Sequence, residues 1–275
     1  MNSTTALVDA HVHLHGCYRP ELFFGAAAAN LSAAGRQLRL GPSPPLYLVM
    51  TECASDRVFD ELHAAARGTA SSSFGLGRWT VSATDEEESL CVSSPDAQLH
   101  VIGGRQVACR EGLEVLLLGT REQVQDGRSI HEVLEFAAQR ALPRVIPWGA
   151  GKWFFSRGRL LTELVRVYGS PLFFLGDEGG RPWFWPYPRH FAQAVPFGVR
   201  DLPGTDPLPF PWDVDKVGRM GIALDLEFEA RRPWHSLREA LANPAADLRR
   251  FGTLEGTVRF VKNQAGMQLR KRRAA

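Results

Sequence analysis

Short apolar runs alternate with segments striped at three- and four-residue steps along most of this chain, and that alternation constrains the fold more than any other feature of the sequence. Ala6-Leu7-Val8, Leu46-Tyr47-Leu48-Val49-Met50, Arg144-Val145-Ile146 and Leu172-Phe173-Phe174-Leu175 read as strands. Between them, Phe23, Ala27, Leu31, Ala34 and Leu38 stripe one helix, and Val58, Leu62 and Ala65 a second, with Ser55 or Asp56 available as its cap. Ser129-Ile130-His131-Glu132 forms a capping box ahead of a third helix, and Leu160, Leu161, Leu164, Val165 and Tyr168 stripe a fourth that Gly169 can end. Parallel strands need crossover connections, so the pattern predicts an α/β fold, either an open doubly wound sheet or a barrel.

From Phe74 to Gly119 the rhythm changes. Trp79–Val81, Ser89–Val92, His100–Ile102, Gln106–Ala108 and Glu114–Leu118 follow one another too closely for helices, and predict a hairpin-rich excursion. Val199–Leu202 reads as a late strand, with helices near Val214–Met220 and Leu237–Ala242. Residues 1–275 are read as one domain, with 225–275 as a C-terminal extension ending in the basic run Arg270–Arg273.

Composition excludes several classes. Lys+Arg 32 against Asp+Glu 30 leaves a charge of +2, which supplies no field for a polyanion or a membrane surface, so neither partner is expected. No apolar run approaches the ~20 residues that span a bilayer. The start carries no basic-then-apolar leader, and the four cysteines are scattered without a C-x-x-C pair, which together predict a cytoplasmic chain with free thiols.

Five of the apolar runs end in polar clusters: Asp9-Ala10-His11-Val12-His13, Thr51-Glu52-Cys53, Trp148-Gly149-Ala150-Gly151-Lys152, Gly176-Asp177-Glu178 and Gly204-Thr205-Asp206. Barrel enzymes gather chemistry at the carboxyl ends of their strands, which favours the barrel over the open sheet. Alternation in a strand puts Asp9, His11 and His13 on one face, where two imidazoles and a carboxylate suit a divalent cation. The competing reading is a strand end with hydrogen-bonded histidines. His15 shares the parity but lies beyond the strand, while His63, His100 and His131 sit inside helix or hairpin patterns and read as structural.

Asp-x-His-x-His after a first strand, with Thr51-Glu52-Cys53 closing the second, resembles the PHP (polymerase and histidinol phosphatase) group of metal-dependent phosphoesterases. The resemblance implies a distorted (β/α) TIM-like barrel with a hairpin insertion. It matches His11 and His13 to the first two metal ligands and Glu52 to the aspartate of a Thr-Asp-His segment. Gly204-Thr205-Asp206-Pro207 is similar to the closing Gly-Ser-Asp-Ala-His element, with Asp177 as a competing match. The chain departs from the pattern at Cys53, Gln106 and Trp148, which stand where a histidine, a bridging glutamate and a His-Pro segment belong. His11, His13, Glu52, Asp177 and Asp206 are therefore the candidate ligands for one or two Zn, Mn or Fe ions, with Asp9, Glu52, Asp206 and Lys152 as candidate catalytic residues.

Gly149, Gly151 and Lys152 follow a strand and precede a helix, a place where amides and a lysine can hold an anion; Arg181 and Trp148 complete the candidate substrate contacts. The expected function is hydrolysis of a small anionic substrate, phosphoester first, by a metal-activated water. Two alternatives stand beside it: an inactive PHP-like barrel that binds a ligand or partner, and an amidohydrolase using Lys152 as a carbamylated metal bridge. Trp148, Trp153, Trp183 and Trp185 suit a pocket for a flat or sugar-like group, or plain packing. Oligomeric state is not legible from this sequence.

Overall fold

The computed structural model describes residues 3–69 and 75–274. Phe74, where the excursion is expected to start, lies outside the described residues. The order is β1 (Ser3–Val12), α1 (Pro20–Gln37), β2 (Leu46–Glu52), α2 (Val58–Ala66), β3 (Thr80–Ala83), β4 (Ser89–Ser94), β5 (Ala97–Ala108) and β6 (Glu114–Leu118). It continues with α3 (Ile130–Gln139), β7 (Arg144–Pro147), α4 (Phe155–Tyr168), β8 (Phe173–Gly176), α5 (Arg189–Ala194), β9 (Arg200–Asp201), β10 (Met220–Glu227), α6 (Pro233–Ala242), β11 (Arg249–Gly252) and α7 (Thr257–Ala274).

All eleven strands form one mixed sheet in the order β11-β10-β1-β2-β5-β6-β7-β8-β9, with the β3–β4 hairpin attached to the first half of β5. Strands β1, β2 and β5 are parallel, as are β7, β8 and β9. β6 is antiparallel to both β5 and β7, which restores the common direction across it. The carboxyl ends of β1, β2, β5, β7, β8 and β9 therefore share one end of the sheet, where the polar clusters collect.

Side-chain alternation splits the central strands between two layers. Leu48, Val101, Leu117, Ile146, Phe173 and Leu175 pack beneath α1–α4, while Val49, Ile102, Leu116, Val145 and Phe174 face the opposite side, where Trp234, Leu237 and Leu241 of α6 cover them. In α3 the Ser129–Glu132 capping box is complete. In α2 neither Ser55 nor Asp56 caps the helix: Glu52, at the end of β2, accepts the Phe59 N–H at 2.6 Å.

The expected closed barrel is a curled, open sheet instead. Closure fails because the last strands return by antiparallel pairing: β10 lies against β1 and β11 against β10, so β1 is bordered by its own late neighbours and not by β9. The helix expected near Val214–Met220 is a short 3-10 turn (Pro211–Lys216) followed by β10. The basic run ends α7, where Arg270 reaches the Pro209 carbonyl at 2.9 Å. Among the described residues no helix is long and apolar enough to cross a membrane.

After β9 the chain crosses the open side of the sheet as an extended strip. Gly204 N–H donates to Asp177 O, and Asp206 N–H donates to His11 O at 2.9 Å, so the strip joins the end of β8 to the end of β1. A side chain at 204 has no room: a Cβ there would lie 2.4 Å from His11 Cβ. The absence of that atom is what lets the strip approach β1.

Candidate metal centre

His11 and His13 are buried at the end of β1, and their Nε2 atoms lie 2.9 Å apart. Asp206 Oδ1 approaches from the strip, 3.7 Å from His11 Nε2 and 3.6 Å from His13 Nε2. The Gln106 amide oxygen, from β5, is 2.9 Å from His11 Nε2. Donors bound side by side on a cation with bonds of ~2.1 Å stand about 3.0–3.4 Å apart, so the spacing suits a single ion. The histidine and aspartate donor atoms all fall within 4.8 Å of one another.

Hydrogen bonding alone does not satisfy this arrangement. His11 Nε2 carries at most one proton, which can go to His13 Nε2 or to Gln106 Oε1 but not to both. A cation engages the lone pairs of all the converging atoms together. On the far side of the ring, His11 Nδ1 lies 3.1 Å from Glu178 Oε1, with both side chains buried. That contact lies off hydrogen-bond geometry. Neither Glu178 oxygen, nor His13 Nδ1, has a hydrogen-bond partner among the described residues.

Charge in the cluster is set by burial acting against the neighbouring acids and imidazoles. Burial lowers the basicity of His11, but Glu178 and Asp206 outweigh it and carry the ring up to about 10. Burial and the adjacent His11 push His13 down to about 3. Burial lifts Glu178 to about 8 against the pull of His11. At Asp206, burial is outweighed by His11, His13, Lys216 and Lys152, which hold it at about 2. One imidazole thus concentrates positive charge between two acids while its neighbour keeps a free lone pair. Asp206 itself occupies the left-handed region at φ 42°, a strained conformation for a residue with a side chain, and the strip's bonds to β1 hold it there.

The other candidates lie elsewhere. Asp9 turns away from the histidines: Oδ1 accepts Thr205 N–H at 2.9 Å, and Oδ2 accepts Thr205 Oγ1–H at 2.5 Å and Gly218 N–H at 2.9 Å. Register with β2 slips between Asp9 and Val12, so strict alternation does not run through this stretch. Asp9 therefore fastens the strip to β1 and does not join the cluster. Glu52 is committed to the Phe59 amide and to Arg105, 2.8 Å away. Asp177 is gripped by both Arg181 and Arg250, and Arg181 is used up in that pair and on the Trp185 carbonyl. Lys152 sits 2.5 Å from Glu114, a third exposed, and reaches the cluster only through its charge at Asp206. Trp148 is buried beside Trp185, in the turn with Gly149 and Gly151.

Glu178 and Gln106 are the two residues of the cluster that sequence reasoning does not select. Asp177 and Glu178 are neighbours at the end of β8, so only one of them can face β1, and strand parity would have been the signal for choosing. Gln106 draws attention only as a departure from a glutamate, yet its amide oxygen occupies the converging position.

No family model matches the chain, and no curated protein does. Among solved structures, PsfC from Pseudomonas syringae PB-5123 is similar, with 13% identity and a TM-score of 0.59 over 98% of this chain and 99% of that one. This likeness, end to end in both chains, shows a shared fold. The lesion-specific endonuclease PfuEndoQ from Pyrococcus furiosus matches at 11% identity and TM-score 0.48, over 89% of this chain and 57% of that chain. Endonuclease Q in complex with a 27-mer duplex substrate, with an abasic lesion at the active site, matches at 12% and 0.47, over 90% and 58%. Both of these proteins act on nucleic acid, and the expectation that nucleic acid is excluded as a partner does not stand: a near-neutral net charge is no ground for it.

Proposed function

We propose that this chain is a metal-dependent hydrolase of phosphate esters, of the PHP type, with one divalent cation bound by His11, His13 and Asp206 and assisted by the Gln106 amide oxygen. The convergence of two imidazole Nε2 atoms, 2.9 Å apart, on the Asp206 carboxylate carries this reading. An ion held there supplies Lewis acidity and a water activated for attack. Water oxygen bonds to phosphorus, the ester P–O bond breaks, and the alcohol leaves with a proton.

The protein's own contribution is orientation and charge. Glu178 lies behind the His11 ring at 3.1 Å and raises its basicity through charge, which makes it a better donor. Asp206 and Glu178 together offset one dication, and the neutral Gln106, in place of a bridging glutamate, leaves no charge to offset a second. Arg105 occupies Glu52 and closes that side to another ion. Lys152, on the turn with Gly149 and Gly151, is paired with Glu114 and would exchange that partner for the ester's phosphate. The same Arg105–Glu52 pair favours the second reading, ligand binding without turnover, because it leaves fewer ligands than a multinuclear site needs.

Elemental analysis of purified protein, beside the His11→Ala/His13→Ala variant, together with hydrolysis of 4-nitrophenyl phosphate and bis(4-nitrophenyl) phosphate in Mn²⁺ or Zn²⁺, tests both parts. The expected result is about one equivalent of metal per chain, lost in the variant, with turnover reduced at least ~100-fold. Equal metal content in the two proteins removes the site; metal without turnover leaves the binding reading.

A further inference from the structure

A cavity of about 540 Å³ adjoins the turn that carries Lys152, and none of the cluster's own residues lines it. Trp148, Trp153, Phe154, Trp185 and Tyr187 supply aromatic walls. Phe154 and Trp185 lie stacked with centroids 6.0 Å apart and 22° between planes, and Trp148 meets Trp185 edge to face at 5.7 Å. Gly149 and Gly151 border the same space, so the turn that carries Lys152 also forms one rim of the cavity.

Three further observations point to a ligand. Trp153 is buried, and its indole N–H has no acceptor among the described residues, an unusual loss for a donor out of water. Phe155, at the cavity, is 89% exposed on left-handed backbone (φ 54°), so the fold holds a large ring in solvent in a conformation that costs strain. Arg159 and Arg189 are exposed lining residues, and no ion pair engages either guanidinium among the described residues. Apolar walls with a few polar groups, in a volume of this size, are the anatomy of a small-molecule site. Aromatic faces select planar rings, and free guanidinium groups select anions.

We propose that this cavity receives the leaving group of the ester, a planar aromatic or heteroaromatic ring bearing the phosphate. The inference rests on the hydrolase reading and names the substrate class for it. The ring lies in the cavity against the walls that Phe154, Trp185 and Tyr187 supply, and the phosphate lies toward the turn that carries Lys152.

Calorimetric titration with two non-hydrolysable probes, naphthylmethylphosphonate and methylphosphonate, tests this directly. The metal-loaded protein should bind the naphthyl probe at least tenfold more tightly. Trp185→Ala should reduce that preference below threefold while methylphosphonate binding stays as it was. The half-exposed Phe154→Ala repeats the measurement where folding is not at risk. Equal affinity for the two probes, or a preference that survives both substitutions, overturns the proposal. Because the readout is binding, the two readings fail separately: turnover without a ring preference sinks the ring site alone, and a ring preference without turnover sinks the hydrolase alone.

Discussion

Glu178 is buried, which lifts its carboxyl to about 8 against the pull of His11, and it touches the ring nitrogen opposite the one aimed at His13 and Asp206. Replacing the carboxyl while keeping the shape isolates what it does. Glu178→Gln should weaken divalent-metal affinity by about 10- to 100-fold, the usual cost of losing an outer partner of a metal-binding histidine. The fold should tolerate the change, since a neutral amide is easier to bury than a carboxylate. Competition against a chromogenic chelator measures it, and an unchanged affinity would detach Glu178 from the site. At this scale the sequence is readable where close spacing at a strand end suffices: His11 and His13, two apart at the end of β1, meet at their Nε2 atoms, although the register slip keeps Asp9 out of the set that alternation predicts. Asp206 and Glu178 are not readable in the same way. Their positions depend on a strip that crosses from β8 to β1, about 200 residues after His11 in the chain, and no local pattern records that crossing.

The strip is an element without secondary structure of its own, and it is held by side chains on β1. Asp9 collects the Thr205 amide and hydroxyl and the Gly218 amide, and Gly204 lies against His11. Gly204→Ala would put a methyl group 2.5 Å from the His11 backbone nitrogen, so the strip must lift and take Asp206 with it. The expected outcome is a loss of about 1–3 kcal/mol in urea unfolding, typical of an overpacked contact, and loss of stoichiometric metal. Wild-type metal content in this variant would show that Asp206 does not depend on the strip. Elements with local signals were legible in advance: the α3 capping box is there, and α1 buries the stripe of Phe23, Ala27, Leu31 and Ala34. β10 was not, because Met220–Leu224 is a short apolar run that fits helix or strand, and its pairing with β1 spans most of the chain. α7 was missed for the opposite reason, with Val258, Val261 and Leu269 exposed and no apolar stripe to announce it.

Across the whole molecule, strand alternation was enough to predict an α/β sheet layered with helices, and the curl of that sheet follows from its twist. Whether it closes is decided by which strand lies beside β1, and β10 holds that place through long-range pairing that alternation does not encode. The layer beneath α6 also holds a titratable group whose basicity burial alone governs. His100, on β5, is buried between Tyr47 and Phe228, with ring centroids 5.3 and 5.1 Å away, and its Nδ1 has no hydrogen-bond partner. Burial alone lowers it from 6.5 to about 4. The folded state therefore keeps this ring neutral where the unfolded chain protonates it, so the unfolded state binds more protons between those two values. Stability from this group is complete above pH 6.5 and falls away as the pH drops toward 4, by up to about 3 kcal/mol for a shift of that size. His100→Leu should flatten this acid limb. Urea unfolding of both proteins from pH 7.5 to 4.5 isolates the effect, because the carboxylates that also titrate are common to the two and cancel in the difference. The stability gap between variant and wild type should move by about 2 kcal/mol in the variant's favour across that range. A gap that stays constant with pH would mean that His100 is protonated inside the fold, with water or an anion beside it.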